Sequence, residues 1–255
     1  MTRSAWVFPG QGSQSLGMLS ELAAAFPGVR ETFAEASDAL GRDLWQLAQE
    51  GPEADLNATE NTQPLLLTGG VAVWRVWQRQ GGRMPAYVAG HSLGEYTALV
   101  AAGVLSLADG VRLVAERGRL MQAAVPAGQG AMAAILGLGD EQVVAACAEA
   151  AQGDVVSAVN FNAPGQVVIA GSTAAVERAI VLLKAAGAKR ALPLPVSAPS
   201  HCALMKPAAD ALAARLHDIR FNPPVIPVVQ NAAARVEADL DAVRQALVTQ
   251  LHSPV

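Results

Sequence analysis

The stretch VAGHSLGEY at residues 88–96 combines a short apolar run with the pattern Gly90-x-Ser92-x-Gly94. A serine at a strand-to-helix turn needs small residues on both sides, because its backbone is strained and its neighbours pack against the next helix. The positive end of that helix then faces whatever the serine attacks. The stretch predicts a nucleophile elbow with Ser92 as a covalent nucleophile, and the alternative is an ordinary serine in a glycine-bounded turn.

The composition restricts the class of protein. The chain has 255 residues, 52% of them hydrophobic, and a net charge of −4. We expect a soluble protein without a signal peptide or membrane-spanning run, and hence a cytoplasmic location. The charge argues against nucleic-acid binding, and no His/Cys/Asp cluster has metal-ligand spacing, so we expect neither a metal nor a cofactor. Cys147 and Cys202 fit small buried side chains and receive no role.

The periodicity of the first half predicts an α/β fold with a parallel sheet. Predicted strands at residues 4–8 and 86–89 are separated by helical patterns, of which residues 62–80 form a long amphipathic stretch. Ser106-x-x-Asp109 is typical of a helix N-terminus, and that helix is predicted to end near residue 124. In such sheets, ligands bind at the carboxyl ends of the strands, where Ser92 is expected.

The middle of the chain has a different order of elements. After a break at residues 126–128, the predicted elements are a strand at 130–136, a helix at 140–151, strands at 155–160 and 166–170, a helix at 173–186 and a strand at 190–194. This βαββαβ order is ferredoxin-like. The sequence therefore predicts a small ferredoxin-like subdomain at 126–195 inserted in a large α/β subdomain of 1–125 and 196–255, with Ser92 in the cleft between them.

A serine nucleophile needs a base, and the candidates are the four histidines. His201 follows Pro199-Ser200 directly after the predicted insert, in a loop that would return to the cleft, and is our candidate. His91 adjoins Ser92, from which its side chain diverges, His217 lies on an amphipathic helix, and His252 ends the chain. Because no carboxylate between Ser92 and His201 stands in an evident loop at a strand end, a backbone carbonyl could orient the imidazole instead.

Arg117 lies in the apolar stripe of the helix that follows Ser106, whereas Arg112, Glu116 and Arg119 fall on its other face. A buried guanidinium needs a carboxylate partner. That partner is either internal, such as Glu95, or the free acid of a substrate acyl group. The second alternative would make Arg117 a substrate carboxylate clamp.

The chain contains five separated features in one order, namely FPGQGSQ at residues 8–14, GHSLGE at 90–95, Arg117, NFNAPGQ at 160–166 and PSH at 199–201. Together they resemble one family, the malonyl-CoA:acyl carrier protein transacylases of bacterial fatty acid synthesis. The resemblance spans the whole chain and implies an α/β-hydrolase-like core. It also implies that Ser92 takes a malonyl group from malonyl-CoA and that the phosphopantetheine thiol of acyl carrier protein removes it. No cofactor is implied.

The resemblance also implies roles for single residues. His201 would act as base and then acid, with the main-chain carbonyl of Gln250 orienting its ring. The backbone N–H groups of Gln11 and Leu93 would form the oxyanion hole, and Arg117 would bind the malonyl carboxylate. Apart from the resemblance, Asn160 and Asn162 could face the cleft from the insert, and their interpretation as turn-forming asparagines before Pro164 is at least as well supported.

The acyl carrier protein is acidic, so a basic rim is expected, for which Lys189, Arg190 and Lys206 are the candidates. We expect the protein to be a monomer. Family members continue beyond residue 255, so the chain resembles a form truncated at its C-terminus. The alternatives are an acyltransferase that loads another acyl-CoA in polyketide synthesis, a serine thioesterase or esterase, and an inactive truncated paralogue that binds the carrier.

Overall fold

The structure is a computed structural model that describes residues 4–126, 128–196 and 198–255. The chain forms two compact units, Met1–Arg119 with Ala214–Ala246, and Leu120–Ala213 with Leu247–Val255. Unlike the predicted boundaries after residues 125 and 195, each division falls inside a helix, and the predicted domain limits stay a prediction. Ala127, in the predicted break at 126–128, lies outside the described residues.

The bounds of the elements follow in chain order. The strands are β1 (Ala5–Phe8), β2 (Tyr87–Gly90), β3 (Gly130–Leu136), β4 (Val156–Ala163), β5 (Gln166–Ser172), β6 (Arg190–Pro193), β7 (Val228–Gln230) and β8 (Arg235–Val236). The helices are α1 (Ser20–Ala25), α2 (Gly28–Leu40), α3 (Leu44–Glu50), α4 (Glu53–Asn57), α5 (Thr59–Arg79), α6 (Leu93–Ala101), α7 (Leu107–Ala124), α8 (Asp140–Ala151), α9 (Thr173–Ala185), α10 (Lys206–His217) and α11 (Leu240–His252), with a 3-10 turn at Ala203–Met205. No helix in the described ranges is long and apolar enough to span a bilayer.

The first unit contains a sheet of strand order β1-β2-β7-β8. Strands β1, β2 and β7 are parallel, and β8 is antiparallel to β7. Phe8 at the end of β1 is level with Gly90 at the end of β2. The segments that follow these parallel strands therefore leave the sheet at one edge, as parallel pairing requires.

Helix α7 begins where the Ser106-x-x-Asp109 pattern predicts. The Ser106 hydroxyl accepts a hydrogen bond from the Asp109 N–H at 3.0 Å and donates to the Asp109 carboxylate at 2.7 Å. This satisfies one of the N–H groups that the first turn of a helix leaves without a partner. On the same helix Arg112 and Arg119 are exposed and Arg117 is buried, as the apolar stripe predicts.

The second unit contains an antiparallel sheet of strand order β4-β5-β3-β6. Apolar side chains of β3, β5, α8 and α9 form its core, among them Ile135, Val143, Ile169 and Leu183. The chain order β3-α8-β4-β5-α9-β6 is that of the ferredoxin-like motif. The prediction of an α/β fold with a parallel sheet and a ferredoxin-like motif is confirmed.

Strand β4 is longer than the sequence predicts. It continues to Ala163 instead of ending at residue 160, with pairing irregularities between Ala158 and Asn160 and between Phe161 and Ala163. Such bulges let a strand bend and still keep its partner, so pairing with β5 overrides the low strand propensity of asparagine. The interpretation of Asn160 and Asn162 as turn residues is wrong, because both lie within the strand.

Candidate active site

Ser92 lies between β2 and α6 in a strained backbone conformation. Its φ is 52° and its ψ is −106°, which a residue other than glycine rarely adopts. A Cβ atom on Gly90 would lie 1.9 Å from the carbonyl carbon of Gly94, and one on Gly94 would lie 2.2 Å from the carbonyl oxygen of Phe8. The two glycines are therefore needed for close approach of the backbone, as expected for a nucleophile elbow.

Asn231, directly after β7, clamps this turn through three hydrogen bonds. Its side-chain oxygen accepts from the Ser92 N–H at 2.7 Å, and its side-chain nitrogen donates to the Gly90 carbonyl at 2.7 Å. Its own backbone N–H donates to the buried Glu95 carboxylate at 3.1 Å. One side chain therefore fixes the backbone on both sides of His91, which stabilises the strained conformation of Ser92.

Arg117 is brought to Ser92 by α7. Its side chain is 1% exposed, and its Nη2 donates to the Ser92 hydroxyl oxygen at 3.1 Å. Nη1 donates to Oε1 of Gln63 at 2.7 Å, and the guanidinium carbon lies 5.4 Å from the centre of the Tyr96 ring. A cation thus lies in direct contact with the predicted nucleophile.

Burial dominates the electrostatics around Arg117. It lowers the pKa of Arg117, while the neighbouring Tyr96 and Glu95 raise it. Burial also raises the pKa of Tyr96 to about 12, although Arg117 opposes that shift. Tyr96 is therefore neutral at ordinary pH, and Arg117 is a cation in a poorly solvating environment, where an additional carboxylate ligand is favourable.

The loop after β1 carries Gln11. Its side-chain oxygen accepts a hydrogen bond from the Thr59 hydroxyl at 2.9 Å. A Cβ atom on Gly10 would lie 2.7 Å from the carbonyl oxygen of His91, so this loop closely approaches the elbow. Leu93 is the first residue of α6, where backbone N–H groups have no acceptor four residues earlier in the helix. Both predicted oxyanion donors thus lie on segments that leave the same edge of the sheet.

His201 lies in the second unit and is 2% exposed. Its Nδ1 lies 2.7 Å from the carbonyl oxygen of Gln250, and its backbone N–H donates to the Leu251 carbonyl at 3.1 Å. A carbonyl oxygen only accepts hydrogen bonds, so the neutral ring must carry its hydrogen on Nδ1. Nε2 then presents a lone pair, which is the form that a general base requires.

The predicted cleft residues Asn160 and Asn162 differ in exposure. Asn160 is 5% exposed, and its side-chain nitrogen has no hydrogen-bond partner among the residues that the structure describes. Asn162 is exposed. Asn160 is therefore the one of the two that has an unused buried donor.

His217 and the two cysteines received no role in the sequence analysis. The side chain of His217 is 90% exposed beside Asp218, as expected for a solvated helix face. Burial raises the pKa of both the Cys147 and the Cys202 thiols to about 11. In the described part of the chain, no group of three or more His, Cys, Asp or Glu side chains could hold a metal ion.

The structure thus assembles two groups of predicted residues. Ser92, Leu93 and Arg117 lie together in the first unit, and His201 and Gln250 lie together in the second. The sequence analysis missed Asn231 and Gln63. Asn231 is a polar residue directly after a parallel strand, which is a recognisable signal, whereas Gln63 follows polar residues and precedes the apolar run at residues 65–67, so it carried none.

Comparison with known proteins identifies relatives over the whole described chain. The model of a family described as acyl transferase domain matches residues 5–255. A curated malonyl CoA-acyl carrier protein transacylase of Salmonella typhimurium is 65% identical over 255 residues, which are 100% of this chain and 82% of the relative. The protein of that name in Bacillus subtilis is 45% identical over 258 residues, covering 100% of this chain and 80% of the relative.

Solved structures of similarly named proteins also match this chain. A malonyl-transacylase in complex with a type II PKS acyl-carrier protein superposes with a TM-score of 0.99 at 62% identity, over 100% of this chain and 82% of the other. An acyl carrier protein S-malonyltransferase of Vibrio cholerae gives a TM-score of 0.97 at 62% identity, over 100% of this chain and 83% of the other. The matches extend over both units of the chain.

Proposed function

This chain belongs to the acyl transferase domain family, and we propose that it transfers a malonyl group from malonyl-CoA to acyl carrier protein through a malonyl ester on Ser92. One observation carries the choice of acyl group, namely the contact between buried Arg117 and the Ser92 hydroxyl at 3.1 Å. An acyl group that ends in a free carboxylate would pair with that guanidinium while its thioester carbon faces the serine.

The first half of the reaction forms the ester. Ser92 Oγ attacks the thioester carbonyl of malonyl-CoA, the new C–O bond forms, and the C–S bond to CoA breaks. His201 accepts the hydroxyl proton on Nε2 and then delivers it to the departing thiolate, because Nδ1 is already engaged with the Gln250 carbonyl. The N–H groups of Gln11 and Leu93 stabilise the negative charge on the carbonyl oxygen.

The second half repeats these steps with another thiol. The phosphopantetheine thiol of the carrier gives its proton to His201 and attacks the malonyl ester, and Ser92 leaves with the proton. Because a thioester is exchanged for a thioester, the overall reaction is nearly balanced in energy and requires no cofactor. The enzyme must therefore mainly position its groups and limit attack by water.

The carrier protein is the macromolecular partner in this proposal. Lys189, Arg190 and Lys206 are exposed and belong to the second unit. Lys206 forms an ion pair with Asp210, so Lys189 and Arg190 have the greater capacity to attract an acidic carrier. A relative bound to a type II PKS carrier is 62% identical to this chain, so carriers of polyketide synthesis form a second class to test.

Mass spectrometry of the intact protein tests the proposal. The purified chain is incubated with malonyl-CoA or acetyl-CoA, and any adduct is located by peptide mapping, with Ser92→Ala as the negative control. We expect a malonyl ester on Ser92, formed in preference to acetyl, and a malonylated carrier once holo acyl carrier protein is added. No adduct on the folded chain would identify an inactive paralogue, whereas rapid hydrolysis without transfer would identify a thioesterase.

Arg117→Ala tests the choice of acyl group separately. We expect preference to move from malonyl-CoA toward acetyl-CoA, because the charge that binds the malonyl carboxylate is lost. Arg112→Ala, at an exposed position on the same helix, is the matched control. Unchanged selectivity in Arg117→Ala would show that this arginine has a structural role only.

A further inference from the structure

The ring of Tyr96 is in contact with the cation of Arg117. Tyr96 is 0% exposed, and the guanidinium carbon of Arg117 lies over its ring, 5.4 Å from the ring centre. A cation within about 6 Å of a ring centre is attracted to the negative face of the ring, and burial strengthens this attraction because little water competes with it. The ring therefore acts on the same arginine that contacts the Ser92 hydroxyl at 3.1 Å.

Tyr96 and Ser92 contact Arg117 from one turn of helix. Ser92 is the N-cap of α6, and Tyr96 follows it by four residues. Side chains four residues apart lie on the same face of a helix and lean toward its N-terminus, so the Tyr96 ring lies against the turn that carries Ser92. The position of Arg117 relative to Ser92 is thus set within a single helical turn.

The ring differs in kind from the polar partners of Arg117. Gln63 accepts a hydrogen bond from Nη1 at 2.7 Å, and Glu95 acts on Arg117 through its charge. An aromatic face attracts a cation without accepting one of its N–H groups in a hydrogen bond. The ring can therefore restrict the movement of the guanidinium while the N–H groups serve polar partners, those of the protein included.

The ring of Tyr96, and not its hydroxyl, makes this contact. In the described ranges, no hydrogen bond of the Tyr96 hydroxyl has normal geometry. Burial raises the pKa of Tyr96 to about 12, so the hydroxyl stays neutral at ordinary pH and forms no ion pair with Arg117. The attraction comes from the aromatic face, which phenylalanine also has and leucine lacks.

We propose that the aromatic ring of Tyr96 contributes to acyl selectivity by holding the guanidinium of Arg117 beside Ser92, where the carboxylate of the acyl group binds. The inference rests on the proposed malonyl transfer. In it, Tyr96 is a positioning residue, because it acts through Arg117. Without the ring, Arg117 keeps its polar partners but adopts more orientations, so malonyl transfer loses more than transfer of an acyl group without a carboxylate.

The test measures kcat/KM for acyl-enzyme formation from malonyl-CoA and acetyl-CoA in Tyr96→Phe and Tyr96→Leu. We expect Tyr96→Phe to keep the wild-type malonyl-to-acetyl ratio and Tyr96→Leu to lower it about tenfold. Leu99→Ala, at a fully buried position of the same helix, is the control for damage to the core and should lower stability but keep the ratio. A wild-type ratio in folded Tyr96→Leu, or an equal fall in Tyr96→Phe, would overturn the inference.

Fluorinated phenylalanine at position 96 decides if Tyr96→Leu does not fold. Fluorine weakens the negative potential of the ring face and changes the shape of the ring little. We expect the malonyl-to-acetyl ratio to fall with each added fluorine, and a constant ratio across the series would refute the role of the ring.

A double variant tests whether the ring acts through the arginine. In an Arg117→Ala background, Tyr96→Leu should leave the malonyl-to-acetyl ratio unchanged, because the group that the ring holds is already absent. A further tenfold fall in that background would refute the inference, since the ring would then act on the acyl group without the arginine.

Failure of the underlying function would be visible independently. If the wild-type chain forms no malonyl ester on Ser92, the proposed reaction is wrong, and the inference about Tyr96 is wrong with it. If the wild-type chain forms the ester selectively and Tyr96→Leu does the same, only the inference about Tyr96 is wrong.

Discussion

Ser92 and His201 both have positive φ angles, 52° and 65°, but they are held in different ways. The backbone conformation of Ser92 is held by the side-chain amide of Asn231. It also requires the glycines of the elbow, because a Cβ atom at those positions would clash with the neighbouring backbone. His201 depends on main-chain groups, because the Gln250 carbonyl contacts its ring and the Leu251 carbonyl contacts its N–H. The position of the nucleophile is thus specified by residue identity, and that of the histidine by the path of α11.

Replacing His201 gives the largest effect on activity among the following changes. We expect His201→Ala to slow malonylation of Ser92 by about 10² to 10⁴-fold, because the hydroxyl loses its general base. His201→Asn should be as slow but more stable by about 1 kcal/mol, because asparagine tolerates the left-handed backbone region better than alanine. The rate of acylation is measured in quenched time courses, and the difference in stability is measured by urea unfolding. Near-normal acylation in either variant would remove His201 as the base.

Asn231→Ala tests whether side chains hold the nucleophile. Two hydrogen bonds of the amide are lost, and leaving the partly buried groups at Ser92 and Gly90 without them costs about 1 kcal/mol each. We expect lower stability and acylation slowed about tenfold or more in the molecules that remain folded. Asn222→Ala, in the segment before β7, is the control. Equal behaviour of the two variants would contradict the role of Asn231 as a clamp.

Gln250→Ala tests the opposite case. The contact with His201 comes from the main-chain carbonyl, which alanine retains, and alanine is a good helix former within α11. Loss of a buried polar side chain should lower the free energy of unfolding by about 1 kcal/mol or more, while acylation per folded molecule falls less than about fivefold. A loss as large as that in His201→Ala would mean that the side chain itself has a role in catalysis.

The smallest effect concerns the two buried thiols. Because burial raises the pKa of Cys147 and Cys202 to about 11, the folded state binds more protons than the unfolded state between about pH 9 and 11. Their contribution to stability is present below pH 9 and is lost as the pH rises through that window. Cys147→Ala should reduce this alkaline loss in chemical denaturation curves, and an identical pH profile would exclude the thiol as its source.

Much of the local structure could be predicted from the sequence. The predicted bounds of β3 and α8 agree with the observed Gly130–Leu136 and Asp140–Ala151. The acyl transferase family was predicted correctly from the separated motifs. The extension of β4 was not predicted, because pairing with β5 overrides the local preference of its asparagines.

The sequence by itself determined which residues carry chemical groups and which helix face each occupies. Ser92 in its glycine-bounded turn and Arg117 on an apolar stripe are local patterns, because periodicity and backbone strain act over a few residues. Only the tertiary structure decided their partners. Asn231 and Gln63 lie 139 and 54 residues from the groups they bind, and such pairs depend on the route of the chain through the fold, which no local pattern encodes.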